Sequence, residues 1–271
     1  MAVVEQVALR SGVRPAAAPA AFWTVTRLRV AAIVVILALW EIAGSSGFFY
    51  NGVLPSSLLI FKAFVGLLLS ASFWFHAGVT GFEVAAAFVI GISTGALTGL
   101  VLGANRYTGA VFEPFLHYLA PTPKIVFLPI LLILFGVGVG SKISLGAISC
   151  FFPMALSVAA GVRQVNPVYL RVGRTFNLTR LQTVRMIYLP ALIPPIASGL
   201  RIGLGISIVG CLMSEIKLSR AGLGFSAMEY YRIFDIPSML AVLVFIFVCA
   251  AAGNVVIDRY VRLPGPQTAR A

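Results

Sequence analysis

Charged residues are scarce in this chain. They make up 10% of its 271 residues, whereas a soluble domain carries about 25%. Hydrophobic residues make up 60%, and the mean hydropathy is +1.01. This composition argues against a soluble globular fold, and it excludes intrinsic disorder and collagen, which need polar or biased sequences. The apolar side chains must therefore face lipid or one another.

Acidic residues, cysteines and histidines are also few. The chain has 8 acidic residues against 20 basic ones, for a formal net charge of +12. Cys150, Cys211 and Cys249 each stand alone in an apolar stretch, which argues against a disulfide framework or a metal site. Only His76 and His117 are present, and no HExxH or Ser-Lys arrangement accompanies them. We therefore expect no enzyme centre, no bound metal and no cofactor.

Long uncharged apolar runs dominate what remains. A membrane-spanning helix needs about 20 mainly apolar residues, and these runs predict an all-α polytopic membrane protein with about six spans. The predicted spans are residues 30–44, 84–104, 125–140 with a backward extension, 143–162, 190–214 and 236–257. Residues 30–44 are interpreted as a span rather than a secretory signal, because about 26 residues precede them. Residues 54–75 contain Lys62 and several serines, which favours an interfacial helix that lies flat.

The basic residues indicate the orientation. With both termini in the cytoplasm, thirteen arginines fall on the cytoplasmic side and five basic residues, including Lys142, on the other, as the positive-inside rule requires. The net charge is thus explained by topology, and we expect no nucleic-acid partner. We predict a flexible cytoplasmic tail at 1–26, a transmembrane domain at 27–258 and a short cytoplasmic tail at 259–271.

Small residues recur on the second span. Gly91, Gly95, Gly99 and Gly103 are spaced by four residues and form one stripe on a helix. Small residues allow helix backbones to approach closely in membranes. We interpret the stripe as a packing surface in preference to a solute groove.

The longest polar loop covers residues 163–189 and is called the long loop below. It predicts one helix from Pro167 to Phe176 and another from Thr179 to Ile187, separated at Asn177, which tolerates the left-handed conformation. Thr179 is positioned to cap the second helix. A loop of this length with an amphipathic helix favours a docking surface, although a helix resting on lipid headgroups is the alternative.

The long loop resembles a motif of permease subunits of ABC importers. The family motif has Glu-Ala-Ala, three residues, Gly, nine residues, Ile, one residue and Leu-Pro. This chain keeps the spacing, with Arg171 for Glu, Gly173 for the second Ala and Asn177 for Gly. Further segments are similar to the nitrate, sulfonate and taurine branch: LPSS at 54–57, residues 121–143, RTF at 174–176, residues 189–205 and GLG at 222–224.

The resemblance implies a type I ABC importer permease fold and a set of partners. These are two cytoplasmic ATPase subunits, a second permease copy in a homodimer, and a periplasmic or lipid-anchored solute-binding protein, all at a bacterial inner membrane with its lipid. The solute is expected to be a small anion such as a sulfonate, taurine or nitrate. The resemblance assigns ATPase coupling to Arg171, Gly173, Arg174, Thr175, Asn177, Thr179, Arg180, Ile187, Leu189 and Pro190.

Pathway residues are harder to assign from sequence. Arg201 lies within the fifth span, where a charge should face protein or water; it either pairs with an acid or carbonyl or meets an anionic solute. Glu215, Gly222 and Gly224 are candidates for a gate at the outer mouth. Glu83 is interpreted as a solvated carboxylate near a span end. With no acid expected near a span centre, an ion-coupled secondary transporter is the less favoured alternative.

Overall fold

The chain is described by a computed structural model that covers residues 25–46 and 52–260. The predicted tail at 1–26 lies almost entirely outside these residues, and so does most of the tail at 259–271. Contacts divide the chain into two compact units, residues 1–59 and residues 60–271. Within the described residues all regular structure is helical, which confirms the predicted all-α class.

The first unit contains one long apolar helix, α1 (Val25–Ser45). Near its end, Trp40 Nε1 donates to the Pro55 carbonyl at 3.1 Å. Glu41 Oε2 accepts hydrogen bonds from the backbone and the hydroxyl of Ser57, each at 3.0 Å. These polar contacts hold Pro55 and Ser57 against the end of α1.

Helix α2 (Ser57–Leu68) is short, and α3 (Ala71–Ala104) is the longest helix of the chain at 34 residues. The predicted helix at 54–75 is therefore wrong in its bounds, because the chain breaks at Leu69–Ser70 and then begins α3. Phe73 of α3 is buried in a cluster with Leu67 and Val242, so the apolar residues before position 84 extend the span. At about 1.5 Å per residue, α3 exceeds the roughly 30 Å hydrocarbon core.

The predicted span at 125–140 is broken. Helix α4 (Arg106–Leu119) is followed by a 3₁₀ turn (Lys124–Phe127) and by α5 (Leu128–Phe135), with a bend of 96° between the two parts. Pro121 and Pro123 stand at the break, where they cannot donate helical hydrogen bonds. Counting the bent pair as one, the described residues contain up to six helices long and apolar enough to span a membrane, as the sequence predicts.

The centre of the second unit is α6 (Val139–Arg163), which packs on α3 and on α10 (Ile193–Leu218). Its residues Met154, Val158 and Val162 are buried along one face. Two further helices, α11 (Leu223–Arg232) and α12 (Ile236–Tyr260), complete the unit. Between α6 and α10 the chain forms α7 (Pro167–Thr175), α8 (Arg180–Thr183), a π-helical turn (Val184–Tyr188) and α9 (Leu189–Ala191).

Candidate coupling loop and pathway residues

The first half of the long loop is a capped helix that ends in a sharp turn. Asn166 caps α7 by accepting from the Val168 amide at 2.9 Å. At the other end Asn177 has φ of 52°, and the amides of Leu178 and Asn177 donate to the carbonyls of Gly173 and Arg174 at 3.0 Å each. This is the Schellman arrangement, in which glycine or asparagine adopts the left-handed conformation. Asn177 thus makes the turn for which the family motif has glycine.

The second half of the long loop continues towards α10. Thr179 and Gln182 form a reciprocal cap: Thr179 Oγ1 accepts from the Gln182 amide at 3.3 Å, and Gln182 Oε1 accepts from the Thr179 amide at 2.8 Å. Such a capping box fixes the start of a helix. From there the chain runs through α8, the π-helical turn and α9 into α10. The long loop is therefore continuous in the chain with the start of α10.

The two halves meet at Gly173. A Cβ at this position would lie 2.9 Å from Ile187 Cδ1 and 3.3 Å from Leu178 Cδ1, so the ends of these two side chains pack closely on the glycine. Next to this contact is an apolar cavity of about 560 Å³, lined by residues that include Tyr169, Phe176 and Met186. Phe176 and Met186 are 75% and 61% exposed. The loop therefore presents an open apolar surface.

The remaining motif residues lie on the helices of the same loop. Arg171, Arg174 and Thr175 lie exposed on α7, and Thr175 Oγ1 donates to the Arg171 carbonyl. Leu189 and Pro190 are exposed in α9. Arg180 begins α8.

The glycine stripe of α3 lies against α6. A Cβ at Gly95 would lie 2.6 Å from the Phe151 carbonyl oxygen, and one at Gly103 would lie 2.6 Å from Val162 Cβ. Gly91 and Gly99 are packed as closely on the same helix. Each added methyl group would force the two helices apart, so the stripe brings the backbones of α3 and α6 into direct contact.

Arg201 in α10 forms an ion pair with Asp258 of α12. Their side chains are 40% and 56% exposed. This contact supports the first of the two roles considered for Arg201, pairing with an acid. Asp258 lies 57 residues further along the chain, beyond the reach of any local sequence signal.

A buried ion pair was missed by the sequence analysis. Lys142 Nζ lies 2.8 Å from Glu83 Oε1, with the two side chains 6% and 0% exposed. The interpretation of Glu83 as a solvated carboxylate is therefore wrong, and Lys142 is not a solvated loop charge. Both were misread because each stands beside an apolar run and resembles the polar end of a span. Their pairing joins α3 to α6.

Glu215, Gly222 and Gly224 come together where α10 meets α11. Glu215 is 1% exposed; its Oε2 accepts from the Gly224 amide and its Oε1 from Thr80 Oγ1, both at 2.6 Å. Gly222 has φ of +112°, which L side chains rarely adopt. This polar cluster lies at the opposite end of α10 from the long loop.

At the loop end of the bundle, polar contacts link α4 to α6. Glu113 of α4 pairs with Arg163 at the end of α6. Lys124 donates to the carbonyls of Leu119, Ala120 and Thr122 at 2.6–3.0 Å, and so binds the chain at the end of α4 and just after it. A lysine held in this way stabilises the bend of the broken span.

Residues 87–270 match the family described as the binding-protein-dependent transport system inner membrane component, and the chain belongs to this family. It is therefore a multi-pass permease subunit of an ABC importer, as the resemblance implied, and the family implies ATPase and substrate-binding partners. No comparison supports an ion-coupled transporter.

Named relatives and a solved structure agree with this membership. The chain is 29% identical over 229 residues to the putative aliphatic sulfonates transport permease protein SsuC of Bacillus subtilis, covering 84% of this chain and 82% of that one. It is 30% identical to the bicarbonate transport system permease protein CmpB of Synechococcus elongatus, covering 86% of both. It is similar in fold to the inward-facing MetNI methionine ABC transporter, with a TM-score of 0.58 and 20% identity over 77% of this chain and 98% of that chain.

Proposed function

We propose that the long loop is the surface on which the ATPase subunits dock. The observation that supports this most strongly is the pair of capped helices joined at Asn177, with the open apolar surface of Phe176 and Met186 beside the turn. An exposed apolar surface of this kind marks a site of interaction. Because the loop continues into α10, closure of the ATPases would tilt α10 and reorient the pathway. ATP hydrolysis itself belongs to the partner.

The basic side chains modify this surface. Arg171 and Arg174 are exposed on α7, and Arg171 stands where the family motif has an acid. We infer that the partner ATPase carries acidic or neutral groups where these arginines meet it, since like charges across an interface suppress wrong partners. This feature selects a particular ATPase and leaves the apolar contact unchanged.

Co-purification in mild detergent tests the docking surface. The variant Phe176→Glu/Met186→Glu places charges on exposed side chains, so the fold should persist while the ATPase is lost. Ile233→Glu is the matched control, because Ile233 is 69% exposed on the turn after α11, at the other end of the bundle. The variant Arg180→Glu/Arg185→Glu tests the basic side of the loop. Retention of the ATPase by a folded Phe176→Glu/Met186→Glu variant contradicts this docking surface.

We further propose that the importer contains two copies of this chain. Helix α10 exposes Ile202, Ile206, Val209 and Met213 at spacings of three and four residues, which forms one apolar stripe. Packing of this stripe on its counterpart would place the pathway between the two copies. Cross-linking of a Val209→Cys variant should give a dimer, whereas Val89→Cys, equally apolar and 62% exposed on α3, should not.

The solute is proposed to be small and to carry an anionic group, with an aliphatic sulfonate or the zwitterionic sulfonate taurine first. This rests on the relatives that carry aliphatic sulfonates and bicarbonate. With the long loop in the cytoplasm, both termini are cytoplasmic, and Glu215 with the Gly222–Gly224 turn forms a candidate gate at the outer end. Uptake of labelled taurine, ethanesulfonate, nitrate and bicarbonate should be compared in native cells with and without the gene. If the gene increases the uptake of none of these four solutes, the assignment of the solute is contradicted.

A further inference from the structure

Helix α11 begins without a capping side chain of its own. A helix leaves its first amides without intrahelical partners, and the N-cap residue ordinarily accepts from one of them. In α11 the N-cap is Gly222, which has no side chain. The first amides of α11 donate instead to side chains of other helices. The Gly222 amide donates to His76 Nδ1 at 3.1 Å, the Leu223 amide to Thr80 Oγ1 at 2.7 Å and the Gly224 amide to Glu215 Oε2 at 2.6 Å. We call these three contacts the cross-helix cap.

One hydroxyl group connects all three helices of the cap. Thr80 Oγ1 accepts from the Leu223 amide of α11 and donates to Glu215 Oε1 of α10 at 2.6 Å. His76 and Thr80 are separated by one turn of α3, so they share a face. Loss of the Thr80 hydroxyl therefore removes a contact to α10 and a contact to α11 at once.

The two glycines make the cap possible. A Cβ on Gly222 would collide with the Glu215 carboxylate, and a Cβ on Gly224 would lie 2.9 Å from Glu215 Cβ. The chain thus passes directly over the carboxylate. This explains the GLG sequence at 222–224 by close approach as well as by the positive φ of Gly222.

The cap lies at the end of the bundle away from the long loop. Gly103 of α3 packs on Val162 of α6, next to the loop, whereas His76 and Thr80 lie near the beginning of α3. Glu215 is likewise near the end of α10 that is distant from the loop. Close backbone packing along the glycine stripe holds α3 to α6. The cap instead consists of three hydrogen bonds from backbone amides, which can break and re-form together, and the bond to the buried Glu215 carboxyl group is the strongest of them.

We propose that the cross-helix cap is the latch of the outer gate, closed in this structure and broken in each transport cycle, with His76 and Thr80 as positioning residues. This inference rests on the proposed function, which places this end outside the cytoplasm. The latch links the gate candidates Glu215, Gly222 and Gly224 to α3. Opening of the outer end then requires α11 to leave α3.

A reversible cross-link tests whether the latch must open. The bond between Thr80 Oγ1 and the Leu223 amide places their Cα atoms within roughly 7 Å, near the reach of a disulfide. Thr80→Cys/Leu223→Cys is introduced together with Cys249→Ala, which removes the exposed native thiol, in native cells that carry the partner subunits. Oxidation should lower uptake of the transported anion at least tenfold, and a reductant should restore it. Oxidation should not change uptake by either of the two single cysteine variants.

Two results would overturn the latch. The cross-link forms and uptake stays within twofold of the reduced state, which makes the cap a static contact. If the cross-link does not form, the hydrogen-exchange comparison below decides, because Thr80 bonds to the Leu223 backbone amide and a disulfide depends also on the direction of the Leu223 Cβ. Wild-type cells show no gene-dependent uptake of any solute, in which case the proposed function fails and the gate fails with it. If the wild type transports and the cross-link does not change uptake, the latch is rejected and the proposed function stands.

A second experiment tests the cap if the reduced double variant does not transport. It measures hydrogen exchange of the permease in nanodiscs of phosphatidylethanolamine and phosphatidylglycerol. Thr80→Val should speed exchange in residues 219–226 at least tenfold and leave α6 unchanged, and Thr80→Ser should restore protection. Thr94→Val is the matched control, because Thr94 Oγ1 donates only to carbonyls of its own helix. The positioning role of Thr80 is overturned if residues 219–226 of Thr80→Val exchange within twofold of this control. It is also overturned if exchange becomes faster throughout α6.

Discussion

Lys142 and Glu83 form an ion pair of 2.8 Å in which both side chains are withdrawn from solvent. Removing one partner of a buried ion pair leaves an uncompensated charge and lowers the free energy of unfolding by about 3–5 kcal/mol, whereas replacing both partners by apolar residues can be nearly neutral. We expect Glu83→Gln and Lys142→Met each to lower the melting temperature in detergent strongly, and the double variant to recover most of the loss. A double variant as unstable as the sum of the single variants contradicts a direct pair.

The glycine stripe provides a prediction with an internal control. Gly95→Ala places a methyl group 2.6 Å from the Phe151 carbonyl oxygen, and overpacking of this kind costs about 1–3 kcal/mol. Gly81 lies on the same helix, and a Cβ added there would have no atom of another residue within 4 Å. Because alanine favours a helix over glycine by up to about 1 kcal/mol, Gly81→Ala should be stabilising. Thermal unfolding of the two variants should shift in opposite directions. Equal shifts would contradict direct contact of α3 and α6 at the stripe.

The features that could be predicted from the sequence are local ones. The uninterrupted apolar runs of α6 and α12 reveal the spans, and Asn177 marks its turn because the left-handed preference is a property of that residue. The start of α3 was missed because Glu83 resembles a polar boundary until Lys142, distant in sequence, is known to neutralise it. Likewise, nothing near Gly222 indicates that His76 and Thr80 cap α11.

The turn at Asn177 should tolerate only certain residues. Its φ of 52° costs most L residues about 1–2 kcal/mol relative to glycine. Asn177→Gly should therefore preserve the turn, whereas Asn177→Val should open it and unfold the backbone around the exposed arginines of the long loop. Brief trypsin digestion of the purified permease measures this, with cleavage in residues 171–185 about tenfold faster in Asn177→Val. Equal cleavage of the two variants would show that the turn does not depend on this residue.

The pair of Arg201 and Asp258 separates a structural role from contact with the solute. Because both side chains are more than a third exposed, the pair contributes under about 1 kcal/mol. If Arg201 serves only this pair, Arg201→Gln and Asp258→Asn should change stability slightly and lower anion uptake equally, by less than about threefold. Uptake kinetics in native cells check this, with Arg201→Lys as the charge-preserving control. If Arg201→Gln abolishes uptake while Asp258→Asn and Arg201→Lys retain it, Arg201 acts on the anion and the pair is secondary.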